Sequence, residues 1–139
     1  LRLFIDLSDY VIGLGIIRGH YERSELDFVR RTVKPGQTVL DIGANIGLFT
    51  ITMAALAGAT GKVYAFEPLA SNAELLERSI AENGFNDCVT LERAAALRKI
   101  RVTSIGISAK RPFPLLCGET KRPLFIFSGI PAVSCRSVP

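Results

Sequence analysis

Val39-Leu40-Asp41-Ile42-Gly43-Ala44-Asn45-Ile46-Gly47-Leu48-Phe49-Thr50 is the stretch from which the rest of the chain is read. The apolar pair Val39-Leu40 ends in Asp41 and breaks into a glycine-containing turn. A second apolar run, Leu48 to Leu56, follows at once. The pattern predicts a buried strand, a tight turn and the start of a helix. Such a turn joins the carboxyl end of a parallel strand to a helix N-terminus, where open α/β sheets bind ligands. Gly43 and Gly47 allow the sharp bend and leave room for a ligand against the backbone. The N–H groups at the helix start are expected to face that ligand.

Spacing within the turn narrows the ligand. A dinucleotide fingerprint, G-x-G-x-x-G, brings a pyrophosphate onto the helix N-terminus. Here Asn45 stands where the second fingerprint glycine would be, and its side chain obstructs a close pyrophosphate. Asp41 puts a carboxylate at the mouth of the turn, which repels phosphate but accepts from an ammonium or, through water, from hydroxyls. The strand Lys62 to Phe66 ends in Glu67, 20 residues after Gly47. An acid at the tip of a second strand is the usual partner of the two ribose hydroxyls of an adenosine. These parts together fit a nucleoside without phosphates that carries an amino-acid end. S-adenosylmethionine is such a ligand.

The ordered set Asp41, Gly43, Asn45, Gly47, Glu67 and Pro68 resembles the FkbM family of S-adenosylmethionine-dependent methyltransferases. The similarity extends upstream through Gly19-His20-Tyr21-Glu22 and Glu25 to Val29. Downstream it runs through Asn72, Leu75-Leu76 and Glu82-Asn83-Gly84 to about Leu97. It implies a Rossmann-like α/β fold of the class I methyltransferase type. Positions matching Asp41, Gly43 and Asn45 would line the methionine end of the cofactor, with Ala44 and Gly47 also among the cofactor-binding residues. Glu67 would hold the ribose with Pro68 following it, and Glu22 would lie near the cofactor. The implied reaction is transfer of a methyl group to a hydroxyl, often on a sugar or secondary metabolite. Residue 79 is Ser where the family commonly has Asn, a departure.

The 139 residues allow one domain at most, and an apolar share of 48% suits a globular chain. No apolar run reaches the length of a membrane span, so no membrane role is expected. Cys88, Cys117 and Cys135 form no C-x-x-C pair. That pattern argues against a disulfide framework or zinc site and predicts a cytoplasmic chain without a metal. The net charge of +4 is unevenly spread. Residues 1–97 hold 9 Lys/Arg and 12 Asp/Glu, whereas residues 98–139 hold 8 Lys/Arg and one acid, Glu119. A nucleic-acid or lipid partner is therefore not expected of the ligand-binding half. The basic tail shows no aromatic interleaving and no amphipathic helix to support one either.

In chain order, Leu1 to Asp6 is read as an edge strand and Ser8 to Arg18 as an irregular, partly buried segment. Ser24 to Asp27 has the form of a capping box, with Leu26, Val29 and Val33 following at helical spacing. The first strand is placed at 37–41 and the following helix up to Ala57, with the second strand at 62–67. Ser71 to Glu74 is a second capping box, opening a helix whose face holds Leu75, Leu76, Ser79 and Ile80 and which Asn83-Gly84 closes. Asn72 is read as a cap, and Cys88 to Leu91 as a third strand. Three strands and two helices within about 55 residues imply a parallel sheet of order 3-2-1.

Beyond Leu97 the character changes, and five of the seven prolines lie there. Arg101 to Ser108 and Leu124 to Ile130 are the strand candidates. The acidic D-x-E-G-x-E cluster of the family's second half is absent. The expectation is an S-adenosylmethionine-binding half over 1–97 and a Pro-rich tail over 98–139, from a shifted reading frame or a truncated copy. A divergent short protein is the alternative. On this reading the outer edge of the first strand is exposed, and only the stretch Pro123 to Phe127 offers to fill it. The acceptor would be a hydroxyl-bearing small molecule, with its binding and catalytic residues in the missing half. Two other readings stand beside it: a nicotinamide- or flavin-dependent oxidoreductase, disfavoured by Asn45, and a non-enzymatic module that binds through the basic tail. His20 is read as a surface residue.

Overall fold

The computed structural model describes residues 1–94 and the strands at 100–103, 106–109 and 124–127. Its elements are α1 (Ile12–Ile17), α2 (Arg23–Thr32), β1 (Thr38–Ile42), α3 (Leu48–Ala57), β2 (Lys62–Phe66), α4 (Ala70–Glu82), β3 (Val89–Glu92), β4 (Ile100–Thr103), β5 (Gly106–Ala109) and β6 (Leu124–Phe127).

Strands β1, β2 and β3 are parallel in the expected order 3-2-1, with Val39 opposite Val63 and Val63 opposite Val89. Val63, Ala65 and Phe66 are fully buried, as suits a parallel strand covered on both faces. Helix α3 is apolar nearly all round, and Phe49, Thr50, Ile51, Met53, Ala54 and Ala57 are all buried. It lies between the sheet and α2, whose Val29 joins Val33 in the same core. On α4 the buried residues are Ala73, Leu76, Ser79 and Ile80, while Leu75 is only half-buried.

The outer edge of β1 is not exposed. Strand β6 pairs with it in parallel, Val39 opposite Leu124 and Ile42 opposite Phe127, giving the order β3-β2-β1-β6. The chain thus winds away from β1 toward β3 and returns on its other side, so the end of β1 is a topological switch point. Strands β4 and β5 form a separate antiparallel pair between residues 100 and 109, where 101–108 is read as a single strand. The 97/98 boundary, Cys117, Cys135 and the tail prolines lie outside the described residues.

Three local expectations are corrected. Residues 1–6 form no strand; they are tied to α4 by side chains. Arg2 N–H donates to Asn83 Oδ1 at 2.9 Å, Asn83 Nδ2 donates to Arg2 O at 2.6 Å, and Phe4 N–H donates to Ser79 Oγ at 2.9 Å. Ser79, the departure from the family pattern, is buried and carries one of these bonds. The segment read as irregular contains α1, which begins because Asp9 Oδ1 accepts the N–H groups of Val11 and Ile12 at 3.0 Å. Neither capping box forms, because α2 and α4 start before Ser24 and Ser71 and neither has a side-chain cap at its N-cap residue.

Candidate functional site

The turn after β1 is held by its own hydrogen bonds. Gly43 and Ala44 N–H both donate to Phe66 O, at 2.9 and 3.0 Å. Asn45 N–H donates to Glu67 Oε2 at 2.8 Å, Ile46 N–H to Asn45 Oδ1 at 2.9 Å, and Gly47 N–H to Ala44 O at 2.9 Å. Five successive N–H groups are therefore already satisfied. The end of β2 takes three of these protons and the turn itself the other two, while the N–H groups at the start of α3 are those of Leu48, Phe49 and Thr50, which follow the turn. A pyrophosphate has nothing to bind at these five positions.

The glycines are required for different reasons. Gly43 has φ +79°, while Gly47 has φ +97° and packs against α4. A Cβ on Gly47 would lie 2.3 Å from Leu76 Cδ1. Asn45 adopts the left-handed region at φ +52°, which Asn tolerates better than most residues.

Asp41 is fully buried, so its carboxylate lies beneath the turn rather than at its mouth. Thr50 Oγ1 donates to Asp41 Oδ2 at 2.5 Å, joining the strand end to the first turn of α3. Sequence reasoning does not single out Thr50, one of two hydroxyls with Thr52 in the apolar run 48–56; its place in the first turn of the helix after the buried acid is the signal for it. Glu67 is 6% exposed; it receives Asn45 N–H and, through Oε1, Leu69 N–H at 2.8 Å. One carboxylate thus joins the turn after β1 to the start of α4. Pro68 is exposed beside it.

Glu22 arrives from the other side. It lines a solvent-open depression with Tyr21, Asn45, Ile12, Ile16 and Phe49. Gly15 leaves room for Tyr21, whose Cβ would be 3.3 Å from a Cβ there. Glu22 is held in the left-handed region at φ +44°, where a residue other than glycine stores strain. Burial pushes its carboxyl above the ordinary carboxylate range, the charge of Glu25 adds to this, and a hydrogen bond with Tyr21 opposes it. The structure thus brings Glu22, Ala44 and Asn45 to one surface and joins Asn45 to Glu67, while Asp41 stays below.

Asn72 is not a cap; its Nδ2 donates to Asn45 Oδ1 at 2.9 Å. His20 is exposed between α1 and α2. Burial pushes the Cys88 thiol up, as for a core residue. Among the described residues no group of three or more His, Cys, Asp and Glu could hold a metal. None of their helices is long and apolar enough to cross a membrane.

No family model matches the chain. It is 33% identical over 72 residues to the ribosomal protein L11 methyltransferase of Bacillus cytotoxicus, an alignment covering 52% of this chain and 22% of that protein. Among solved structures it superposes on a candidate rRNA-methylase from Clostridium thermocellum with a TM-score of 0.51 and 26% identity, over 52% of this chain and 39% of that one. An O-methyltransferase from Bacillus cereus in complex with SAH aligns at a TM-score of 0.48 and 26% identity, over 53% and 34% of the two chains. The fold is thus the Rossmann-like sheet of methyltransferases. The chain spans 22% of the length of its curated relative and 39% of that of the candidate rRNA-methylase.

Proposed function

We propose that this chain carries the cofactor-binding half of an S-adenosylmethionine-dependent methyltransferase, of the kind that the FkbM resemblance implies. The observation that carries the reading is the pairing at the turn: the N–H groups of residues 43–47 are spent, while carboxylates flank Asn45 on both sides. Glu67 uses two of about four acceptor positions on its carboxylate, so it can still accept the hydroxyls of a ribose. Gly43, Ala44, Asn45 and Gly47 form the floor, with Pro68 at the ribose end and Glu22 at the amino-acid end. Asp41 acts from beneath, through Thr50, by keeping the turn in shape.

When bound, the sulfonium supplies an electrophilic methyl group, and the protein's task is to align it with the acceptor. A base that removes the acceptor's proton would add rate. We assign no residue to that role. The ribosomal-protein methyltransferase and the candidate rRNA-methylase align over only about half of this chain and do not specify its acceptor. The hydroxyl of a small molecule is the acceptor that the FkbM resemblance favours, in a cytoplasmic setting where unpaired cysteines are stable.

Isothermal titration of the chain with S-adenosylhomocysteine and with NAD tests the reading. Binding of the first, weakened by Glu67→Ala, is the expected result. Tighter binding of NAD would replace it with the oxidoreductase reading.

A further inference from the structure

Asn45 has one side-chain oxygen and one side-chain NH2, and the structure spends only the oxygen. Oδ1 receives two donors, Ile46 N–H and Asn72 Nδ2, each at 2.9 Å. Two donors occupy both lone pairs of an amide oxygen, so a flip that exchanged oxygen and nitrogen would set NH2 against the Ile46 N–H and would require the Asn72 amide to flip with it. The Nδ2 of Asn45 has no protein partner among the described residues, and Asn45 lines the depression that Glu22 closes. A ligand there meets an anionic acceptor at Glu22 and a neutral donor on Asn45, the complement of an ammonium and a carboxylate on one small head group. Ile46 lies next to Asn45 in sequence, so its bond comes with the turn itself. The bond from Asn72 is different: it arrives from α4, 27 residues on, and is the part that tertiary packing adds.

We infer that Asn72 is a positioning residue that fixes the side-chain amide of Asn45 with its NH2 available to the carboxylate of the ligand's amino-acid end. The inference rests on the proposed S-adenosyl site and extends it to a residue that touches no ligand. With Asn72 lost, the amide of Asn45 keeps one donor and gains freedom to rotate. Affinity for a carboxylate-bearing ligand falls, while the ribose end, held by Glu67, is unaffected.

The test uses the full chain and two probes, S-adenosylhomocysteine and 5′-methylthioadenosine, which lacks the amino-acid end. Asn72→Ala is expected to weaken the first about 5- to 10-fold, the worth of one hydrogen bond, and to leave the second within about 2-fold. Equal losses for both probes, or none for either, overturn the inference, because a purely structural role would not distinguish them. Asn72→Asp provides a second readout. As an acid the new group donates to Asn45 Oδ1, and as a carboxylate it repels it. Affinity for S-adenosylhomocysteine should therefore fall as pH rises through the range of that carboxyl, with no such step in the parent chain. If the parent binds neither probe, the S-adenosyl reading fails, and the contact itself is then judged by NMR. Asn72→Ala must shift the Asn45 side-chain NH2 resonances; unchanged resonances overturn the orienting role.

Discussion

Glu67 Oε2 accepts the backbone N–H of Asn45 at 2.8 Å, and this bond joins the ends of β1 and β2 across the mouth of the sheet. The same carboxylate accepts Leu69 N–H, so one side chain holds two loops that a ligand would touch. Replacing Glu67 by Ala leaves two backbone donors without their acceptor. Chemical denaturation should show a loss of about 2 kcal/mol, and S-adenosylhomocysteine affinity should fall at least 10-fold with it. Glu67→Gln, which keeps one acceptor oxygen, should fall between.

Gly47 meets two constraints at once, its positive φ and the contact with Leu76. Gly47→Ala should cost about 2–3 kcal/mol, read as a lower denaturation midpoint at unchanged slope. Adding Leu76→Ala removes the overlap and keeps the strain at φ +97°. The double variant should therefore be less destabilised than the two single losses added together.

Glu22 makes stability depend on pH in a stated direction. Its carboxyl is raised in the folded chain, mainly by burial, so the folded state binds more protons than the unfolded one between the ordinary and the raised value. Stability then falls as pH rises through that window, which begins at the ordinary glutamate value and extends upward. Glu22→Gln should flatten this step, and thermal midpoints measured in steps from pH 4 to pH 7 would show it. A step of the same size in the variant would assign the titration to another group.

The segment 1–6 depends on α4 for its place. Asn83→Ala removes both bonds to Arg2, and Ser79→Ala removes the bond to Phe4. Each should cost about 1 kcal/mol and speed proteolysis near the N-terminus. The turn site, which meets α4 near its other end at Asn72, should keep its affinity.

Thr50→Val removes one donor to a fully buried carboxylate. A loss of about 1–3 kcal/mol is expected, larger than at any exposed threonine, and Asp41→Asn in the same background should recover part of it.

The strand–turn–helix at 38–57, the parallel order 3-2-1 and the acid at the end of β2 are legible from the residues alone. Each of these rests on local information: unbroken apolar runs for buried strands, glycines where φ is positive, and a fixed hand for the crossover. The helix starts were less legible, because Ser24 and Ser71 look like caps in isolation while the chain begins each helix one or more residues earlier. Partnership between side chains comes from the packing. Asp41 is buried and tied to Thr50, Glu67 spends two acceptor sites on backbone, Asn72 reaches Asn45 from another helix, and β6 covers the edge of β1. Thr50 is 9 residues from Asp41 and Leu124 lies 85 from its strand partner Val39, and such pairings follow from how elements pack rather than from any spacing along the chain.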